Sequence, residues 1–388
     1  MRMLVSVLIG GPVAALPGNG AGPTRLHRKD LMSNGTMGSL RSPASGPLLA
    51  TPTEGESGVS ACVLSRDQTS LDCGCAAKVS GARLKKARAS ALGSAHAQPE
   101  DCALLSLPGG VQILATVDFG PPPGPDMFLA GRISAFHALS DVYAMGGSPL
   151  YALAIITAAR AHPQEALEAL MAGLNAACQE EGVQLAGGHT TIGDEAVSGL
   201  VVIGAPGAVT LEKTNTRLGD ILMLSKPIGT GMLLRAYRLG YLELEDIHDA
   251  LATMNLSNRA ASKAALNEDV SALTDLTGYG LLGHTAEITF GTKYGAVIEL
   301  DNVPILPAAK ALPAMYSHST FMDDNYVYAN NLTPITGIRD RSRIGALLDP
   351  QTSGGLLASV APDSVPALEL AGFHRIGHIT AEHRLEIR

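Results

Sequence analysis

A chain of 388 residues with 46% hydrophobic content has apolar material for a large core and length for about two domains. Only 16% of it is charged, with 28 basic against 36 acidic residues and a net charge of −8. This leaves no electrostatic footprint for nucleic acid and suits a protein that holds cations.

Residues 1–60 are rich in Gly, Pro, Ala and Ser ("LPGNGAGPTR", "NGTMGSLRSPASGPLLATPTEGESG") with little hydrophobic periodicity, the pattern of a flexible extension. Its apolar run "LVSVLIGGPVAAL" (4–16) is too short to cross a bilayer and is broken by Gly-Gly-Pro, so no membrane span is expected. A transit peptide and a start site assigned too far upstream both stand as accounts of this segment. From residue 102, "CALLSL", a Pro-Gly-Gly turn and "VQILATVDF" predict a hairpin. A helix is predicted over 127–145, and "SPLYALAIITA" reads as a buried strand. "HPQEALEALMAGLNAACQEEG" has a Pro near its start, helical apolar spacing and Gly182 at its end, and so predicts a second helix. "VQLAGGHTT" and "AVSGLVVIGAPG" read as a strand, a Gly-rich loop and a further strand. A composition break at 206–220 sets the boundary between domains 61–206 and 207–388. Beyond it, "RLGDILMLSKPIGTG" runs from strand to Gly-rich turn to helix, and "TDLTGYGLLGH" and "DPQTSGGLL" set polar residues against Gly-rich turns, repeating the scheme of the first half. The order of elements is mixed α and β.

The five cysteines, at 62, 73, 75, 102 and 178, are odd in number and lack framework spacing, which points to free thiols in a reducing, cytoplasmic compartment. In "LDCGCAAKVS" (71–80) a zinc site lacks further ligands at a recognisable spacing, and a disulfide between residues two apart is strained. Two readings of Cys75 stay open: a thiol activated by the nearby Lys78 ammonium, and an inert loop cysteine. Asp101, Asp118, Asp141 and Asp275 each stand at the edge of an apolar element. Any one of them can be a cap or turn residue, but four beside Gly-rich loops favour a divalent-metal and phosphate site. "AGGHTT", "KPIGTG", "GYGLLGH" and "TSGGLL" match neither the P-loop nor the dinucleotide fingerprint. Close packing of helix on sheet is the alternative for each. After Gly187 and Gly188, His189 and Thr190 can present donors to phosphate oxygens.

From about residue 70 onward the chain resembles the selenophosphate synthetases (selenide, water dikinases). The resemblance rests on "GCAAK" (74–78), "EDCALL" (100–105), "TVDF" (116–119), "ALSDVYAMGGSP" (138–149), "LAGGHT" (185–190), "KPIGTG" (226–231), "TDLTGYGLLGH" (274–284) and "DPQTSGGLL" (349–357). It implies a two-domain α/β fold of the aminoimidazole-ribonucleotide synthetase type, a homodimer, and Mg²⁺-dependent conversion of ATP, selenide and water to selenophosphate, AMP and orthophosphate. It also implies that Cys75 and Lys78 are catalytic and that Asp101, Asp141 and Asp275 bind Mg²⁺. Lys78, Gln98, Pro99, Glu100, Asp118, Asp141, Gly188, His189 and Thr190 would contact the nucleotide, the last three reaching the partner's site. His137 stands where many members carry asparagine, Cys73 has no counterpart, and residues 1–60 fall outside the resemblance. A related phosphotransferase of the same fold, such as a thiamine-monophosphate kinase, is the alternative.

Overall fold

The computed structural model describes residues 62, 84, 100–317, 319, 321–337 and 344–388. The expected hairpin is formed by β1 (Ala103–Ser106) and β2 (Gln112–Gly120), closed by Leu107 N–H donating to Val111 O at 2.8 Å. Helix α1 (Met127–Ala144) follows, its first turn capped by the Asp126 carboxylate, which accepts from Leu129 N–H at 3.1 Å. Strand β3 (Ser148–Ala159), helix α2 (Gln164–Glu180), and strands β4 (Gln184–Gly193) and β5 (Val197–Ala205) complete the first lobe. Its sheet has the order β1-β2-β5-β3-β4, antiparallel except at β3–β4.

The two helices cover one face of this sheet. A Cβ on Gly131 would fall 2.2 Å from Leu170 O, and one on Gly173 would fall 1.9 Å from Phe128 O, so only glycine lets α1 and α2 cross this closely. Leu114, Ala152, Ile156, Leu200 and Val202 are buried beneath them, while Val117, Phe119 and Leu153 leave the other face apolar and exposed.

The second lobe contains β6 (Ile221–Leu224), α3 (Thr230–Arg238), β7 (Val270–Asp275), α4 (Gly280–Thr289), β8 (Gly295–Ile298), α5 (Met322–Leu332), β9 (Ile335–Thr336), β10 (Leu356–Val360), β11 (His374–Thr380) and β12 (Leu385–Ile387). Its seven strands run β7-β10-β6-β11-β8-β12-β9, with β12 parallel to both neighbours. The mixed α/β character is as expected, but the wiring differs from the first lobe, so the second half is no repeat of the first. Apolar periodicity reports burial, and says nothing of which strand lies beside which.

Helix α1 belongs to both lobes. Phe136 and Leu139 join the first core, Ile133 joins the largest cluster of the second lobe, and Ala144 joins a third cluster. A helix that presents apolar residues to several cores at once is a buried one. Among the described residues no helix is long and apolar enough to cross a membrane.

Candidate active site

Helix α1 carries three polar residues toward the junction of the lobes. His137, Ser140 and Asp141 are three and four apart, so they share a face. That face meets carboxylates from elsewhere: one oxygen each of Asp101, just before β1, of Asp141, and of Asp275, at the end of β7, lie within 4.8 Å of one another. Thr116 Oγ1 donates to Asp141 Oδ2 at 2.6 Å. Asp101 Oδ1 accepts from Lys213 Nζ at 2.6 Å and from Thr274 Oγ1 at 3.1 Å. The second oxygens of Asp101 and Asp275 are buried without a hydrogen-bond partner.

Buried carboxylate oxygens without donors are costly unless a cation neutralises them. Burial, reinforced by Asp275, pushes the Asp101 carboxyl up to about 7 even though Lys213 pulls it down. The donor set is all oxygen, with two orphaned acceptors, and so fits a hard divalent cation.

Behind Asp101 lies a buried relay. Lys213 Nζ also meets Glu287 Oε2 at 3.3 Å, and Glu287 Oε1 accepts from Tyr328 OH at 2.7 Å. His284 Nε2 accepts from Thr277 N–H at 3.1 Å, which puts the ring proton on Nδ1, 3.1 Å from Glu287 Oε2. Burial alone would raise the Glu287 carboxyl, but Lys213 and His284 override it and hold it down to about 2. Lys213 is held well above the ordinary lysine range by Asp101 and Glu287 against the opposing effect of burial.

A second constellation ties the lobes together. His137 Nε2 lies 2.9 Å from Asp118 Oδ2 on β2, and His137 Nδ1 accepts from Ser353 N–H at 3.3 Å. Asn258 Nδ2 donates to Ser140 Oγ and to Gly354 O, both at 2.8 Å, while Lys226 Nζ donates to Ser353 O at 2.9 Å and to Leu256 O at 2.6 Å. Ser353 has φ of 49°, the left-handed region that a side chain rarely adopts, so this net of contacts holds a strained backbone.

The sequence-derived candidates are not all brought together. Asp101, Asp141 and Asp275 converge, and Asp118 is bound to the same face of α1 through His137. Glu100 Oε2 accepts from Lys213 N–H at 3.1 Å. Gly188, His189 and Thr190 do not lie in a loop: they are part of β4, and Gly188 is required because a Cβ there would fall 2.2 Å from Ala154 O on β3. Two strands separate β4 from β2, about 14 Å at the usual strand spacing, so within one chain this segment is remote from Asp118. Thr190 instead borders a cavity of about 620 Å³ together with Thr157, Arg160 and His162. Cys73, Cys75, Lys78, Gln98 and Pro99 lie outside the described residues. Of the described thiols, Cys102 and Cys178 are buried and pushed up by that burial, Cys178 to about 11, so neither is a ready nucleophile.

The Gly-rich "KPIGTG" and "DPQTSGG" segments bind each other. Gly229 N–H and Thr230 N–H donate to Gln351 Oε1 at 3.1 and 3.2 Å, and Gly231 N–H donates to Asp349 Oδ2 at 2.9 Å. The amides that open α3 are thus consumed within the protein, and close packing is the reading that holds there. Sequence reasoning missed Thr116, Lys213 and Glu287. Thr116 was accessible as the residue sharing a strand face with Asp118, and Glu287 as the helical i+3 neighbour of His284. Lys213, in an irregular connection, carried no signal.

The chain matches two family profiles, the N-terminal domain of AIR synthase related proteins over residues 99–209 and their C-terminal domain over 217–388. It is 38% identical to a selenide, water dikinase of Shewanella sp. (strain MR-4) over 281 residues, covering 71% of this chain and 79% of that relative. It is 36% identical to one of Burkholderia ambifaria (strain MC40-6) over 269 residues, covering 69% and 76%. In fold it is similar to thiamine monophosphate kinase from Aquifex aeolicus, with a TM-score of 0.57, 17% identity, and coverage of 79% and 96%. It is also similar to a chain of a HypE–HypF complex, with a TM-score of 0.58, 19% identity and the same coverage.

Proposed function

The chain belongs to the selenide, water dikinase family, and on that footing we propose that it makes selenophosphate from ATP, selenide and water, releasing AMP and orthophosphate. The observation that carries the chemistry is the convergence of Asp101, Asp141 and Asp275 from both lobes, with two oxygens left free for a cation. Phosphoryl transfer asks for alignment and charge neutralisation more than for covalent help.

In this reading Asp101, Asp141 and Asp275 hold Mg²⁺, which supplies charge neutralisation at the phosphates when bound. Asp118, fixed by His137, and Asp141 orient the nucleotide, together with Lys78 and the stretch Gln98, Pro99 and Glu100. Selenide is a strong nucleophile and attacks without a general base. Cys75 carries or positions the selenium, and Lys78 stabilises thiolate or phosphate charge. The uncovered apolar face bearing Val117, Phe119 and Leu153 supports a homodimer built sheet to sheet, in which Gly188, His189 and Thr190 reach the partner's site. We assign nucleotide and metal binding to domain 61–206, with Asp275 contributed by domain 207–388, and place the enzyme in the cytoplasm. The thiamine-monophosphate kinase alternative rests on neighbours under 25% identical, a likeness of fold alone.

Phosphorus NMR of the purified protein with ATP, Mg²⁺ and selenide, under anaerobic reducing conditions, tests the proposal. Selenophosphate with AMP, both dependent on selenide, is the expected result. ADP as end product, or indifference to selenide, overturns it.

A further inference from the structure

Lys213 comes from the connection between the lobes, yet its side chain is almost wholly buried between two carboxylates of different elements. Its ammonium is 2.6 Å from Asp101 Oδ1 and 3.3 Å from Glu287 Oε2, and its own N–H donates to Glu100 Oε2. Thr274 Oγ1 takes the same Asp101 oxygen at 3.1 Å, leaving Oδ2 buried and unpartnered.

We propose that Lys213 is the positioning residue of the carboxylate cluster: with Thr274 it pins Oδ1 of Asp101 so that Oδ2 is presented to a divalent cation, while Glu287 cancels its charge. The inference rests on the cation-binding reading of Asp101, Asp141 and Asp275. An ammonium beside a cation site ordinarily repels the cation. Here Glu287 makes the Lys213–Glu287 pair neutral, so Asp101 gains an orienting donor without a net positive neighbour. Tyr328 OH donates to Glu287 Oε1, and His284 Nδ1 lies 3.1 Å from the other oxygen, which ties the relay back to α4 and α5. Groups that orient a ligand from behind are commonly worth about 10- to 100-fold in metal affinity.

The test is Mn²⁺ binding to the full chain, followed by electron paramagnetic resonance and by calorimetry, with no nucleotide present. Lys213→Met preserves length and apolar volume and is expected to weaken Mn²⁺ binding by about 10- to 100-fold. Glu287→Gln leaves Asp101 untouched but uncovers the Lys213 charge, and it is expected to weaken binding as well while the variant stays folded at neutral pH by far-ultraviolet circular dichroism. Lys213→Arg, keeping charge and donors, should restore binding to within a few-fold. If Lys213→Met fails to fold, Thr274→Val, isosteric at a fully buried position, removes the other donor to the same oxygen and must also weaken binding. Unchanged or tighter Mn²⁺ binding by Lys213→Met, or by Glu287→Gln where Lys213→Met does not fold, overturns the role of Lys213, and unchanged binding by Thr274→Val overturns the part given to Thr274. Absence of Mn²⁺ binding by the unmodified protein overturns the cation-binding reading itself, and this inference with it.

Discussion

Substitutions at His137 dissect the junction between the lobes. The imidazole is buried, accepts from Ser353 N–H through Nδ1 and donates from Nε2 to Asp118. An asparagine amide reproduces the Nδ1 position and a glutamine amide the Nε2 position, so each replacement retains one bond and loses the other. His137→Asn gives up a charge-assisted hydrogen bond to Asp118, about 1.5–3 kcal/mol. His137→Gln leaves a buried N–H on Ser353 unpaired, about 1–3 kcal/mol, at a backbone already strained by its positive φ. His137→Leu loses both at nearly constant volume, and the expected cost is about 3–5 kcal/mol out of a total stability of about 5–15 kcal/mol. The chain has no tryptophan, so urea unfolding followed by far-ultraviolet circular dichroism is the suitable assay. The expected order of stability is wild type, then the two amide variants, then His137→Leu. A leucine variant within about 1 kcal/mol of wild type would refute the claim that this histidine joins the lobes.

Glu287 sets an acid limit. Its folded carboxyl titrates at about 2, below the ordinary 4.5, so its contribution is fully present above pH 4.5 and is lost as pH falls from 4.5 through 2. The shift corresponds to about 3 kcal/mol, and Glu287→Gln should unfold with a shallower pH dependence in that window; an unaltered slope would count against the Lys213–Glu287 pairing. Phe119→Glu places a charge on the exposed sheet face, 53% open in the single chain, and should abolish the proposed dimer in sedimentation velocity, leaving a monomer with an unchanged far-ultraviolet spectrum. A monomeric wild type, or a variant that stays dimeric, would remove that face as the interface. Cys75→Ser should abolish selenophosphate formation while nucleotide binding survives, and an unchanged rate would return Cys75 to an inert thiol.

Much of the fold was legible because hydrophobic periodicity is local. The hairpin from residue 103, α1 and α2 follow from apolar spacing and turn residues within a few positions of each other. The aspartates were legible for a related reason, since a carboxylate ending an apolar element has few other uses than a cap or a site. Glycine was the less transparent signal. It reports that something comes close, and the sequence does not say what: at Gly188 it is the Ala154 backbone, and at Gly131 it is α2. Lys213 was invisible because its partners are remote in sequence, Glu287 lying 74 residues away, and because its own segment has no period from which to infer a face.

These contacts also explain why the acidic cluster sits at the junction of the lobes. Asp101 and Asp141 come from the first lobe and Asp275 from the second, so without a cation the three carboxylates work against closure of the seam. The hydrogen bonds of His137, Asn258 and Lys226 to the 353–354 backbone do not depend on a divalent cation, and they keep the lobes registered while the acids remain unneutralised. A cation that binds only the folded arrangement then adds its binding free energy to the stability of both lobes together. These polar residues of α1 therefore perform two separable tasks within about one turn: His137 and Ser140 hold the seam, and Asp141 supplies the charge that a cation must meet.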